Sequence, residues 1–232
     1  MNSLKASTKL AIAHDTNDRQ AFLESLKLLG DLPLIHKIGL KMLPRLEKSD
    51  WKLFQDKEIF VDAKLHDIPS QVSDAVKAYG EWGAKYLTVH LSGGKQMLTE
   101  AQKAASTYNL QLLGVSILTS LTDADLLDIG FQQTQASVEK LIKLGKNSGL
   151  NSFVMSAQEV SSIKKIYPDV YCVTPGISLE GESKQSDQNR TASIQEAVQA
   201  GSDMLVVGRA ILKAPKPYLA AKRALELIAS CS

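Results

Sequence analysis

Eight short apolar runs, most of them rich in β-branched residues and separated by stretches of helical pattern, constrain this chain more than any other feature. They are Lys9–Asp15, Leu34–Ile38, Ile59–Ala63, Tyr86–His90, Leu112–Ile117, Ser152–Met155, Val170–Thr174 and Met204–Val207. Runs of this length bounded by turn residues read as strands, and their near-continuous hydrophobicity suits strands covered on both faces. Strands separated by helical segments pair in parallel, because a parallel connection needs a crossover long enough to hold a helix. Eight in series is the number that closes a (β/α)8 barrel, so an α/β fold of the TIM-barrel type is expected. With 232 residues and no compositional break, residues 1–232 are expected to form a single domain.

The intervening segments carry helical signals. Phe22, Leu26 and Leu29 recur at helical spacing after Asn17-Asp18 and before Gly30, which supplies a cap region, an apolar stripe and a stop. Beyond the third run, Val72, Ala75, Val76 and Tyr79 form the next stripe, with Ser70 placed to cap it and Gly80 and Gly83 to end it. Val138, Leu141 and Ile142, then Ile194, Ala197 and Val198, continue the series. One connection departs from this economy. After Thr174-Pro175-Gly176-Ile177 comes the polar, aperiodic stretch Ser178–Arg190, long for a βα loop and readable either as a lid or as a tolerated surface insertion.

Charge narrows the class of ligand. Twenty-seven basic residues against 25 acidic ones give a net charge of +2, too even to draw nucleic acid or an anionic membrane through bulk electrostatics. An anionic ligand must therefore be held by a local site. Cys172 and Cys231 lack metal-type or redox-type spacing and read as free thiols. Met1–Lys5 lacks a signal-peptide core and no apolar stretch nears the roughly 18 residues needed to cross a bilayer, so a soluble, cytoplasmic protein is expected.

In such a barrel the functional groups gather where strands end. The polar residues at those ends are Asp15, Lys37, Asp62, Lys64, His90, Thr119-Ser120, Thr174-Pro175-Gly176 and Gly208-Arg209. Asp62 and Lys64 lie two apart in a segment expected to be extended, so both side chains should face one way, with Lys37 on the adjacent strand able to join them. A buried lysine alone tends to lose its proton, whereas one flanked by carboxylates keeps it; an alternating array of this kind suits protonation of a carbanion. Asp-x-Lys by itself is commonly no more than a solvated ion pair. His14, His36, His66 and His90 are too dispersed for a strong metal site and read as hydrogen-bonded structure, so no metal is expected. Gly208-Arg209 stands where barrels hold phosphate, with a guanidinium able to take two oxygens, and Thr174-Pro175-Gly176 on the neighbouring strand would complete the cup. A glycine turn followed by a surface arginine is the plainer alternative.

Taken in order, Ile12-Ala13-His14-Asp15, Lys37-Ile38-Gly39, Asp62-Ala63-Lys64-Leu65-His66-Asp67-Ile68-Pro69, Val89-His90-Leu91-Ser92-Gly93-Gly94, Leu118-Thr119-Ser120, Thr174-Pro175-Gly176-Ile177, Asp187-Gln188 and Val207-Gly208-Arg209 resemble the orotidine 5′-phosphate decarboxylase family over nearly the whole chain. The resemblance implies cofactor-free decarboxylation of orotidine 5′-monophosphate to UMP in pyrimidine biosynthesis. It also implies a homodimer in which Lys37, Asp62 and Lys64 of one subunit meet Asp67 of the other. Lys64 would protonate C6 as carbon dioxide leaves, Asp62 would lie near the substrate carboxylate, and Lys37 and Asp67 would hold Lys64. Asp15 and Lys37 would contact the ribose, and Thr119 and Ser120 would lie along the pyrimidine. Pro175, Gly208 and Arg209 would form the phosphate site, joined by Gln188 from a mobile loop at about 177–191.

Two positions depart from the family's usual bacterial pattern: Ser178 stands where many relatives place Arg, and Gln71 where a Thr commonly follows Asp-Ile-Pro. Two rival readings remain. A sugar-phosphate decarboxylase of the same superfamily shares the Asp-x-Lys-x-x-Asp stretch, but it uses Mg²⁺ and an acidic residue at the second strand, where Lys37 would repel the ion. A non-catalytic nucleotide-binding barrel would not need all four residues Lys37, Asp62, Lys64 and Asp67.

Overall fold

In the computed structural model, which describes residues 8–47, 49–179 and 191–231, parallel strands close into a barrel. In chain order the strands are β1 (Lys9–Ala13), β2 (Ile35–Gly39), β3 (Glu58–Leu65), β4 (Tyr86–His90), β5 (Gln111–Val115), β6 (Ser152–Val154), β7 (Tyr171–Thr174), β8 (Ile177–Ser178), β9 (Ala192–Ser193) and β10 (Met204–Val207). The closed order is β1-β10-β7-β6-β5-β4-β3-β2, and β8 and β9 form a separate two-stranded sheet among the described residues. All eight expected strands are present, each within a few residues of its expected bounds.

The helices are α1 (Arg19–Leu28), α2 (Pro69–Glu81), α3 (Gly94–Ala105), α4 (Asp123–Asp128), α5 (Thr134–Asn147), α6 (Ala157–Ile166), α7 (Ile194–Ala200), α8 (Arg209–Leu212) and α9 (Pro217–Cys231). Asp18 caps α1 by accepting from the Gln20 and Ala21 N–H groups, and Phe22 and Leu26 form its buried stripe. Ser156 with Glu159, and Ser193 with Glu196, form capping boxes at α6 and α7. Two local expectations fail. Ser70 does not cap α2: the helix starts at Pro69, whose fixed φ and missing N–H suit a first helical position, with Ile68 ahead of it. Gly80 lies inside α2 rather than after it, at a point where the Tyr108 ring packs so closely that a Cβ would stand 2.5 Å from Cγ.

Between β2 and β3 the chain forms two 3₁₀ turns, Leu43–Arg45 and Asp50–Phe54, instead of an α-helix. Asp50, itself buried, receives Arg19 from the start of α1, which fixes this connection against the barrel.

Strand alternation sorts the side chains into two layers. Ala11, Ala13, Ile35, Phe60, Tyr86, Leu113, Val173, Met204 and Val206 fill the barrel interior. Their neighbours of opposite parity, among them Ile12, Ile38, Ile59, Val61, Leu87 and Leu112, pack beneath the helices. Continuing the inward parity toward the strand ends leads from Ala13 to Asp15, from Ile35 to Lys37, from Phe60 to Asp62, and from Tyr86 through Thr88 to His90. The charged groups therefore rest on a filled interior and open at one face.

Candidate active site

At that face four side chains form a continuous chain of alternating charge. Lys37 Nζ lies 3.1 Å from Asp15 Oδ1 and 3.2 Å from Asp62 Oδ2, and Lys64 Nζ lies 2.8 Å from Asp62 Oδ1. The middle pair is enclosed, with side-chain exposures of 9% for Lys37 and 12% for Asp62, whereas Asp15 and Lys64 at the ends stand 54% and 30% exposed. A ligand entering the mouth would thus meet the two ends, held from behind by a buried ion pair.

The electrostatics follow from this packing. Burial alone would raise the Asp62 carboxyl, but the ammonium groups of Lys37 and Lys64 and their hydrogen bonds outweigh it and hold the group at about 2. Burial would likewise strip the proton from Lys37, yet Asp62 and Asp15 together raise its pKa above the usual lysine value. Lys37 and Asp62 are thus each held in the charged form by the other's presence, at the centre of an array of two lysines and two aspartates.

Lys64 departs from the extended conformation expected of it. Its φ is +48°, the only left-handed value at a non-glycine residue among those described, and the β3–β4 register shifts between Val61 and Leu65. Simple alternation therefore does not bring Lys64 beside Asp62; a bulge at the strand end does. There the Lys64 N–H donates to Thr88 Oγ1 at 2.8 Å, and the Thr88 hydroxyl donates to Asp62 Oδ1 at 3.0 Å. Thr88 was not among the expected site residues, although its place between inward-facing Tyr86 and His90 was a usable signal.

The histidines fall into two pairs. His14 Nδ1 lies 2.8 Å from Ser25 Oγ, and its Nε2 lies 3.0 Å from His36 Nδ1, joining α1, β1 and β2 behind the charged chain. Burial, each other's proximity and Lys37 push His14 down to about 3, and burial and Lys57 push His36 to about 4, so both are neutral hydrogen-bonded structure. His66 and His90 lie with ring centroids 5.5 Å apart. Among the described residues no group of three or more His, Cys, Asp or Glu side chains converges as a metal site.

The remaining expected residues divide. Gly208 packs against the end of β1, where a Cβ would lie 3.3 Å from Ala13 Cβ and 3.8 Å from Asp15 Oδ2, so the Gly208-Arg209 turn adjoins the charged chain. Arg209 is exposed at the start of α8. Thr119 and Ser120 sit on the turn after β5 closed by the Leu121 N–H to Leu118 carbonyl bond. Pro175 is half-buried, but Thr174 turns into the fold, its hydroxyl 2.6 Å from Ser202 Oγ, and is unavailable to the cup. Ser178 donates to the Ala192 carbonyl at 3.4 Å, and the β8–β9 pair ties the two ends of the 177–191 segment together. Gln188 lies outside the described residues. Asp67 and Gln71 are exposed; Asp67 accepts from the Ile68 N–H, and no ion pair among the described residues joins it to Lys37, Asp62 or Lys64.

Comparison with known proteins converges on one family. Residues 8–224 match the family described as Orotidine 5′-phosphate decarboxylase / HUMPS family. The chain is 38% identical to the orotidine 5′-phosphate decarboxylase of Saccharophagus degradans over 233 aligned residues, 96% of this chain and 94% of that protein. It is 37% identical to that of Pseudoalteromonas translucida, covering 91% of this chain and 93% of the relative. Among solved structures, the crystal structure of orotidine 5′-phosphate decarboxylase from Lactobacillus acidophilus superposes with a TM-score of 0.83 at 30% identity, covering 95% of this chain and 99% of that one.

Proposed function

The chain belongs to the orotidine 5′-phosphate decarboxylase / HUMPS family, and from that membership we propose that it decarboxylates orotidine 5′-monophosphate to UMP in pyrimidine biosynthesis without a cofactor. The C6–carboxylate bond breaks, its electron pair stays on C6, and Lys64 Nζ delivers the proton that forms the C6–H bond. Lys64 is left as the neutral amine and regains its proton from solvent. Asp62 faces the departing carboxylate, while Lys37 and, from a second subunit, Asp67 hold Lys64 in place. Asp15 and Lys37 take the ribose hydroxyls, and Thr119 and Ser120 flank the pyrimidine.

Gly208, Arg209 and Pro175 form the phosphate site, joined by Gln188. Phosphate contacts of this kind raise catalysis only if their energy appears in the transition state, and loop closure with expulsion of water is a physical route for that. Residues 1–232 act as one barrel domain, and the working unit is a homodimer.

The observation that carries this reading is the Lys37 ammonium, which bridges Asp15 and Asp62 at 3.1 and 3.2 Å. A Mg²⁺-dependent sugar-phosphate decarboxylase would need those carboxylate oxygens for the ion, and a fixed cation between them opposes it. The connected Asp62–Lys64 pair equally favours chemistry over mere nucleotide binding. The test is to follow the pyrimidine absorbance of orotidine 5′-monophosphate with purified protein, with and without a chelator. Equal loss of substrate in both supports the reading; activity that stops with chelator and returns with Mg²⁺ overturns it.

A further inference from the structure

Thr88 sits on the inner face of β4 with 1% exposure, between the interior layer of the barrel and the charged chain. Its hydroxyl has two partners of opposite kind. An ionised carboxylate only accepts, so the single hydroxyl hydrogen goes to Asp62 Oδ1 at 3.0 Å. The Lys64 N–H then donates to the oxygen at 2.8 Å. One atom therefore touches both the backbone of Lys64 and the carboxylate that receives its ammonium.

The place where this happens is special. Val61 and Leu65 pair with Leu87 and Val89 of β4, but the register breaks between them, and within that break Lys64 takes its left-handed conformation. A side-chain residue holds such a conformation only where its surroundings impose it. At the break the Lys64 amide goes to the Thr88 hydroxyl. On the other side, Asp62 Oδ1 is shared between the Thr88 hydroxyl and Lys64 Nζ. The backbone at one end of the lysine and the anion at the other are thus fixed to the same oxygen.

We propose that Thr88 is a positioning residue for the reaction, its hydroxyl clamping the bulged Lys64 backbone and the Asp62 carboxylate so that Lys64 Nζ is aimed at the substrate. The role in turnover rests on the function proposed above; the clamp itself does not. Thr88→Val keeps the branched shape and removes both hydrogen bonds, whereas Thr88→Ser keeps the hydroxyl.

The experiment measures kcat and KM for orotidine 5′-monophosphate in both variants, together with the titration of the Asp62 carboxyl followed by carbon-13 NMR. For Thr88→Val, kcat falls on the order of 10- to 100-fold while KM stays within about threefold, because misplacement of the donor acts on the chemical step. In the same variant Asp62 titrates at a higher pH, having lost a donor to its charged form. Thr88→Ser recovers most of kcat and restores the Asp62 titration. A Thr88→Val enzyme with unchanged kcat and titration, or a serine variant as impaired as the valine one, overturns the proposal. If wild type does not consume orotidine 5′-monophosphate, the functional reading fails, and the Asp62 titrations still decide the clamp. If the valine variant does not fold, Thr88→Ser decides: recovery is required, and loss of kcat with a shifted Asp62 titration overturns the clamp.

Discussion

Lys37 Nζ stands 3.2 Å from Asp62 Oδ2, with both side chains close to fully enclosed. Such a pair is weak evidence for net stability, since desolvating two charges offsets most of their attraction, but removing one member leaves an uncompensated charge. Because Lys64 and the Thr88 hydroxyl still hold Asp62, Lys37→Met should destabilise the protein by about 1–3 kcal/mol, less than a fully unpaired buried charge would, read as a lower midpoint in urea. Replacing both residues, as Lys37→Met with Asp62→Leu, should cost less than the sum of the single changes. Equal midpoints for Lys37→Met and wild type would mean that the pair is solvated.

The buried histidine pair makes a pH prediction with a definite sign. His14 and His36 have folded values of about 3 and about 4, below the ordinary value of 6.5. The unfolded chain thus binds protons that the fold refuses, and stability, full above about pH 6.5, falls as pH drops toward the folded values. Between pH 7 and pH 5 each histidine that stays neutral should cost about 2 kcal/mol. Asp62, held at about 2 against 3.8, adds a further loss only below about pH 4, as pH falls through the folded value. Urea unfolding at pH 7 and pH 5 checks this: His14→Asn should show a shallower loss than wild type, and identical slopes would contradict the neutral pair.

Gly39 has a predicted role through what it lacks. A Cβ there would stand 3.1 Å from Asp15 Oδ1 and 3.3 Å from Lys37 Nζ, so in Gly39→Ala both side-chain ends must give by a few tenths of an ångström. The overpacking is expected to cost about 1–3 kcal/mol. Displacing the two proposed ribose contacts should separately weaken UMP binding roughly tenfold, about 1.4 kcal/mol of binding free energy. Calorimetric titration of UMP into the variant measures it; unchanged affinity would contradict a displacement of Asp15 and Lys37 from the proposed ribose contacts.

Sharing of the active site across a dimer has a direct genetic test. Lys64→Ala and Asp67→Asn are each expected to be nearly inactive. A heterodimer of the two would contain one site lacking both residues and one site with both intact. Mixing the variants under conditions of subunit exchange should therefore restore activity toward half that of wild type per heterodimer. A mixture as inactive as its components would place Asp67 outside the neighbour's site.

Much of this was legible in the chain because it depends on local pattern. The strand runs Leu34–Ile38 and Tyr86–His90 reappear within a residue or two, and the parity that puts Ile35 inside also puts Lys37 there. Less was legible where tertiary contacts decide. The left-handed turn at Lys64 depends on a register break with β4 and on the Thr88 hydroxyl, neither of which has a signal near Lys64. Thr174 looked like part of a phosphate cup because it ends a strand, yet it bonds to Ser202, 28 positions away. At the start of α2 two helix-start signals stand one residue apart, and the fixed φ of Pro69 sets the first turn ahead of Ser70.

Proton donation by Lys64, held by Asp62, is the step on which the proposed cofactor-free decarboxylation depends. It is tested most directly by following orotidine 5′-monophosphate absorbance with wild type and Lys64→Ala side by side, while titrating both with UMP. Wild type should convert the substrate, and Lys64→Ala should bind UMP within about tenfold of wild type yet lose at least about 10³-fold in kcat, more than the 10²–10⁴ range's lower end for a lost acid–base group. A Lys64→Ala enzyme that turns over at a wild-type rate, or a wild-type protein that leaves the substrate intact, would contradict it.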